Sequence, residues 1–413
     1  MKENETILKR QLFNTRFKNE DMDFMLNWAI GISQIIGMAP SQVFVAVHGI
    51  KDGDPAGWRE GFLQQGRFMN EQAQAYVENK RRIAAGQSYL GGAYAYRSAL
   101  QYFDPTRVGF DECLLEMEKA FQQGIEQIGV PLRPVEIPFE NTTLPGYYLE
   151  HDRQPRPVIL MIGGGDSFRE DLFYVAGYPG WKRGYNVLMV DLPGQGKTPG
   201  RGLHYRVDMD MPIRVVLNWL EANAAVKPEK IALYGISGGG YHTALAVASD
   251  ARIKAWIAAT PITDIGKTFE REFGAALKSP GWILNLAMRL TGSVNESAEI
   301  NLNKYAWSFG SNDFKSGVAL IINEAKLVNH AAIQCPSLFL VSEGEAPELK
   351  RQTLELYDHF KQRGLDVTRR EFTATEGADG HCELNNLRLL HLEVFDWLDR
   401  VFQNESEDVR LLC

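Results

Sequence analysis

Residues 231–239 read IALYGISGG, an apolar run that ends in Gly235-Ile236-Ser237-Gly238-Gly239, a G-x-S-x-G pentapeptide. A serine presented on a sharp strand-to-helix turn needs small neighbours, because other backbone segments approach it closely. The run from Tyr241 to Ser249, YHTALAVAS, is small and helix-compatible, so Ser237 is the candidate nucleophile. The plain alternative is a glycine-rich turn between a strand and a helix. A serine alcohol is a poor nucleophile at neutral pH. A base must take its proton, and a carboxylate must orient that base and stabilise its cation.

After an elbow of this kind the chain order is serine, acid, histidine. Four of the eight histidines lie well downstream: His330, His359, His381 and His391. His381 follows the strand-like VTRREFT and the loop ATEGADG and precedes a terminal helix, which is where the base is expected. His359 falls in an amphipathic helix and His391 within the terminal helix, positions of surface or packing residues. The acid should follow the strand SLFLVS, where Glu345 is the first choice, Glu343 the second and Asp264, after the preceding strand, the third. Each glutamate could equally be a solvated loop charge. An oxyanion hole needs two backbone N–H groups. Gly238, next to the nucleophile, and Gly165, in the loop Gly163-Gly164-Gly165-Asp166-Ser167 after VILMI, are the expected donors. Asp166 would repel the developing charge there unless it is protonated or turned toward the leaving group. Its bland reading is a cap on the following helix.

These residues need a scaffold. Segments 19–28, 58–79, 81–102 and 111–128 carry apolar residues at helical spacing, whereas 135–140, 144–150, 158–162, 186–191, 230–235, 255–260 and 337–342 read as strands with helices between several of them. Continuously apolar strands alternating with helices indicate an α/β fold with a mostly parallel sheet covered on both faces. The expected division is a helical domain over 1–130 and a catalytic domain over 131–413, with a helical lid insertion at about 264–330 containing Phe269, Phe273, Trp282, Trp307 and Phe309.

Composition narrows the function. The chain has 413 residues, 45% hydrophobic, with a formal charge of −8 and no basic run interleaved with aromatics, so nucleic acid is not an expected partner. The apolar stretch 28–47 is interrupted by Ser33, Gln34, Pro40, Ser41 and Gln42 and falls short of a membrane span. The N-terminus lacks the pattern of a signal peptide, and Cys113, Cys335, Cys382 and Cys413 are too sparse for a disulfide framework, so a reducing cytoplasm is the expected compartment. Cys382, beside the candidate base, reads as a small buried thiol. No His/Cys/carboxylate cluster has metal-ligand spacing, and DLPGQGKT (191–198) lacks the first glycine of a phosphate-binding loop. Neither metal nor organic cofactor is expected.

GDPAGW (53–58), the helix RIAAGQSYLGGAYAYRSALQY (82–102), GGGDS, DLPGQGKTP, GISGGG and GADGHCELNN together give a resemblance that covers nearly the whole chain. It resembles the helical-domain α/β-hydrolases: the FrsA-like esterases, the 2,6-dihydroxypseudooxynicotine hydrolase of nicotine breakdown, and polyketide-shortening hydrolases of fungal pigment and bacterial anthraquinone pathways. In the nicotine-pathway enzyme a glutamate at the position matching Asp166 takes part in carbon–carbon cleavage. The sequence departs from the family in having Glu345 where an aspartate is usual and a longer interval from acid to histidine. The resemblance implies hydrolysis of a carbon–carbon bond beside a ketone, on a β-diketone or aromatic polyketide, with a homodimer as the expected assembly. The alternatives are a carboxylesterase or thioesterase, and a ligand-binding relative without turnover.

Overall fold

The structure, a computed structural model, describes residues 10–152, 154–278 and 296–403. Trp282, Cys413 and the side chain of Phe273, singled out above, lie outside the described residues.

The chain opens with helices. α1 (Glu20–Ser33) starts where the Asn19 side chain accepts the Met22 N–H, and α3 (Pro55–Glu78), after the short α2 (Pro40–Ala46), starts where Asp54 accepts from Gly57 and Pro55 takes the first helical position. α4 (Arg82–Leu100) packs between α3 and α5 (Phe110–Ile128) and is buried from Ala85 to Leu100 apart from Gln87. α5 ends at Gly129, whose φ of +74° closes the helix, and the first strand begins at Leu132.

The sheet has eight strands: β1 (Leu132–Phe139), β2 (Thr142–Leu149), β3 (Arg156–Ile162), β4 (Asn186–Val190), β5 (Val226–Ile236), β6 (Ala255–Ala259), β7 (Ser337–Ser342) and β8 (Val367–Phe372), in the spatial order β1-β2-β4-β3-β5-β6-β7-β8. β1 and β2 pair antiparallel, β2 meets β4 antiparallel, and β3 to β8 run parallel. Between strands lie α6 (Arg169–Leu172), α7 (Tyr178–Lys182), α8 (Asp210–Asn223), α9 (Gly238–Ser249), α10 (Ile265–Lys278), α11 (Glu296–Ser308), α12 (Phe314–Glu324) and α13 (Pro347–Gln362), and α14 (Leu387–Phe402) follows β8.

Both faces of the sheet are covered, which is why the strand sequences are continuously apolar rather than alternating. Val158, Leu160 and Ile162 of β3 pack with Ile213, Val216 and Leu217 of α8 and Tyr241 and Leu245 of α9. Ile159 and Met161 face the other way, into a cluster that runs through Phe395 of α14 to Phe121, Tyr96, Trp58 and Phe24. The N-terminal helices thus share one hydrophobic cluster with the sheet. The loops at the carboxyl ends of the parallel strands all emerge on one edge, where ligands of open α/β sheets bind.

Candidate active site

Ser237 sits between β5 and α9 at φ +53° and ψ −126°, and its N–H donates to the Ala259 carbonyl at 2.6 Å. A left-handed serine is strained, and the crowding around it fixes the elbow. A Cβ at Gly235 would lie 2.3 Å from the Gly239 carbonyl oxygen, and one at Gly164 would lie 2.6 Å from the Ser237 Cβ. Two of the glycines legible in the sequence are therefore required by contact.

The structure brings His381 and Glu345 to this serine. His381 Nε2 is 2.9 Å from Ser237 Oγ, and Nδ1 is 2.8 and 2.7 Å from the two Glu345 oxygens. A carboxylate only accepts, so Nδ1 carries the proton and Nε2 presents its lone pair to the serine hydroxyl. Burial pushes the Glu345 carboxyl up, but His381, the Thr260 hydroxyl at 2.6 Å and the Ala346 N–H at 3.0 Å outweigh it and hold the group below its ordinary value. Glu343 instead accepts the Ala374 N–H at 2.8 Å, and Asp264 accepts the Lys267 N–H at 2.8 Å at the start of α10. Neither is seen to contact His381. Cys382 donates its thiol to the Ala259 carbonyl, and burial raises its pKa well above normal, as suits an inert core thiol. His330 and His359 pack against each other with ring centroids 4.5 Å apart, and His391 is held against Phe395.

Gly165 and Gly238 face one another across the site: a Cβ on Gly238 would stand 3.6 Å from the Gly165 nitrogen. Gly238 is the first residue of α9, where an N–H has no intrahelical acceptor. The glycine loop is braced from several sides. Ser167 Oγ donates to the Gly164 carbonyl at 3.0 Å, Gln195 Nε2 donates to the same oxygen at 3.2 Å, and Arg97 of α4 donates to the Asp166 carbonyl at 2.7 Å. The Arg97 Nε donates to Asp171 at 2.7 Å in a pair buried on both sides, and the same carboxylate accepts the Phe168 N–H at 2.9 Å.

Two of the readings weighed for Asp166, the helix cap and the protonated acid, do not fit its surroundings. It does not cap α6, because Asp171 accepts the Phe168 N–H in its place. Nor is it protonated at neutral pH: burial pushes its carboxyl up, but Arg10, Lys304, Arg97 and His381 outweigh burial and hold it below the ordinary aspartate value. Arg10 Nη1 stands 3.4 Å from Asp166, and Nη2 stands 2.6 Å from Asp21 of α1. The segment carrying Arg10 is tied to the histidine loop, since the His381 N–H donates to the Arg10 carbonyl at 2.7 Å and the Leu12 N–H to Asp379 at 2.8 Å. Burial brings the Lys304 ammonium down to about 8 despite Asp166.

Ser237, His381, Glu345, Gly165, Asp166 and Gly238 border one cavity of about 150 Å³, whose apolar walls include Ile262, Ile265, Phe269, Phe309 and Ile321. A smaller chamber of about 30 Å³ adjoins it, sharing Gly165, Asp166, Gly194, Tyr305 and Ser308 and adding Lys304, Phe110 and Trp307. The described aromatic residues of the expected insertion thus divide, with Phe269 and Phe309 in the main chamber and Trp307, packed on Phe110, in the side chamber.

Arg10, Arg97, Gln195, Tyr205 and His242 border or brace the site and were not singled out in the sequence. A lone arginine within the small-residue run GGAYAYRSAL was a usable signal for Arg97. Arg10 had none, lying in a segment of alternating charges. Among the described residues, no group of three or more His, Cys, Asp and Glu side chains could hold a metal ion, and no helix is long and apolar enough to cross a membrane.

Comparison with known proteins agrees with this architecture. The solved 2,6-dihydroxy-pseudo-oxynicotine hydrolase superimposes with a TM-score of 0.68 over 91% of this chain and 97% of its own at 18% identity, and AbyA5 with a TM-score of 0.63 over 90% and 95% at 16% identity. Among sequences, the Hydrolyase poxO of Penicillium oxalicum is 28% identical over 71% of this chain and 75% of its own. The Alpha/beta hydrolase psoB of Aspergillus fumigatus is 27% identical over 95% of both, and the 20-hydroxy-prefusarin hydrolase FUS2 of Gibberella moniliformis is 26% identical over 94% and 97%. The sequence profile described as "Esterase FrsA-like" matches residues 41–316. With that match, an α/β-hydrolase sheet and a helical layer packed on it, the chain belongs to the FrsA-like family of α/β-hydrolases.

Proposed function

We propose that the protein is a serine-dependent hydrolase that cleaves a carbon–carbon bond beside a ketone in a β-diketone or aromatic polyketide, shortening it in secondary metabolism. Ser237 is the nucleophile, His381 the base, Glu345 its orienting acid, and the amides of Gly165 and Gly238 the oxyanion hole. The observation that carries the reading is the Ser237–His381–Glu345 relay opening on two chambers that meet at Gly165 and Asp166. A relative whose name specifies 20-hydroxy-prefusarin supports a small-molecule substrate. Described residues of the expected insertion, Ile265, Phe269, Tyr305, Phe309 and Ile321 among them, supply part of the cavity wall, which supports a lid role for it.

Ser237 Oγ attacks the ketone carbon as His381 Nε2 takes its proton, and the carbonyl oxygen becomes an oxyanion held by the two amides. Collapse re-forms the carbonyl and breaks the adjacent carbon–carbon bond. The bonding pair leaves as an enolate, which is why the leaving carbon must itself neighbour a carbonyl. The imidazolium of His381 returns its proton to that carbon. Water, deprotonated by His381, then attacks the acyl-serine and releases a carboxylic acid. Asp166 acts as a carboxylate, not as the acid: paired with Arg10 at the junction of the chambers, it orients the leaving part.

The ionised state of Asp166 also favours a second reading. A carboxylesterase or thioesterase needs the relay and the oxyanion hole but no further acid, and the family description names esterases. The deciding experiment is mass spectrometry of products after incubating wild type and Ser237→Ala with an aromatic polyketide bearing a β-diketone side chain. A shortened product and a released carboxylic acid, both absent with the variant, are expected. Intact diketone beside rapid cleavage of a simple ester would establish the esterase reading instead.

A further inference from the structure

Among the described residues, three buried polar atoms without a hydrogen-bond partner belong to side chains that border the main chamber: Tyr205 Oη and both ring nitrogens of His242. Other unpartnered buried atoms, such as Trp28 Nε1 and the Glu383 carboxylate oxygens, belong to residues outside its lining. Buried polar groups are nearly always satisfied, so two adjacent unpartnered side chains in the wall of a binding cavity call for an explanation.

Two geometric facts place the pair relative to the reaction. His242 lies four residues after Gly238 on α9, so it shares the helix face of the oxyanion donor one turn further along. The rings of Tyr205 and His242 are neighbours, with centroids 5.8 Å apart. The surrounding wall, from Ile262, Ile265, Phe309 and Ile321, is apolar. In such a cavity a few polar groups set orientation and specificity. A purely packing role would be served by phenylalanine at either position with nothing left unsatisfied.

We propose that Tyr205 and His242 form a recognition site for an uncharged oxygen, a hydroxyl or a carbonyl, on the part of the substrate held in the main chamber. The pair offers both donors and acceptors: a phenol does both, and a neutral imidazole has one nitrogen of each kind. Burial pushes His242 down to about 3, so the ring is neutral at physiological pH. An anionic group would call for fixed positive charge, and the cations near the site, Arg10 and Lys304, are engaged on the side of Asp166. All three atoms are turned away from the chamber surface; in the proposed complex, rotation of the His242 imidazole about its Cβ–Cγ bond carries a ring nitrogen toward an entering oxygen, and Tyr205 Oη, which lies on its own Cβ–Cγ axis, reaches it by a turn about Cα–Cβ.

The inference rests on the cavity assignment made above, but a binding measurement separates it from the reaction. Ser237→Ala protein is titrated calorimetrically with a plain alkyl β-diketone and with isomers carrying one hydroxyl at successive carbons of the alkyl chain. At least one isomer is expected to bind about tenfold more tightly than the parent, the scale of one net hydrogen bond. Adding Tyr205→Phe, which removes a single oxygen, or His242→Phe should erase that advantage while leaving the parent's affinity unchanged or improved. Thermal unfolding checks that each variant is folded, and Tyr205→Phe stands alone if His242→Phe is not. The proposal is overturned if no isomer outbinds the parent, or if the advantage survives both substitutions. Failure of fluorophosphonate to label Ser237 in the wild type would remove the proposed reaction and leave this binding result to be judged by itself.

Discussion

The site is built from two regions that contribute different things. Ser237, Glu345 and His381 hang from loops at the carboxyl ends of β5, β7 and β8, and their mutual distances are set by the sheet. Arg10 and Arg97 come from the N-terminal segment and α4, and they hold the glycine loop and Asp166. Sheet-borne groups supply the relay, which many hydrolases need. Arg10 and Arg97 brace the glycine loop and Asp166 beside it. A shared hydrophobic cluster through Phe24, Trp58, Phe121 and Met161 packs the two regions together.

Breaking the sheet-borne half should have the largest effect. Ser237→Ala is expected to lower kcat by about 10⁴- to 10⁶-fold with little change in Tm, measured by product formation under saturating substrate. A residual rate near wild type would show that the relay is not the engine. Removing the helix-borne support should register as stability. Arg97→Met leaves Asp171 buried without its partner, and a loss of about 3–5 kcal/mol in denaturant unfolding is expected, together with reduced turnover from a loosened glycine loop. If stability falls while turnover per folded molecule holds, α4 is only a support.

The third test concerns pH. Unfolded, His242 titrates near 6.5, and folded it titrates near 3, so between those values the unfolded chain binds the extra proton. Its contribution is complete above about 6.5 and is lost as pH falls toward 3, a few kcal/mol in all. His242→Gln should therefore flatten the acid side of a stability-against-pH curve. A curve superimposable on wild type would mean that the ring is not sequestered. The smallest effect expected is selective: Asp166→Asn should loosen the hold on the leaving part, slowing diketone cleavage about 10- to 100-fold and leaving simple ester hydrolysis near wild type. Equal losses on both substrates would assign Asp166 to the common machinery, erasing the contrast between the regions at that residue.

The sequence was most informative where chemistry is encoded by neighbours along the chain. The elbow glycines and the apolar strands depend on local backbone geometry, and both were readable. Glu345 could be ranked above Glu343 and Asp264 but not separated from them. All three follow strands at nearby positions, and what distinguishes them is whether the side chain turns into the sheet edge toward His381 or outward to Ala374 or Lys267. Asp166 could be placed beside the oxyanion loop, yet its charge state depended on Arg10, which lies 156 residues away in sequence.

That contrast marks the division between sequence and tertiary structure for this protein. Periodicity, turn chemistry and the spacing of Ser237 and His381 along a strand-helix alternation determined the α/β architecture and the identity of its nucleophile and base candidates, because those follow from interactions within a few residues. Only the tertiary structure decided which acid meets the histidine, that Asp166 is held ionised, and that Tyr205 and His242 stand unpartnered in the cavity wall. Those outcomes depend on burial and on charges brought together from distant parts of the chain, and neither quantity exists until the chain has folded.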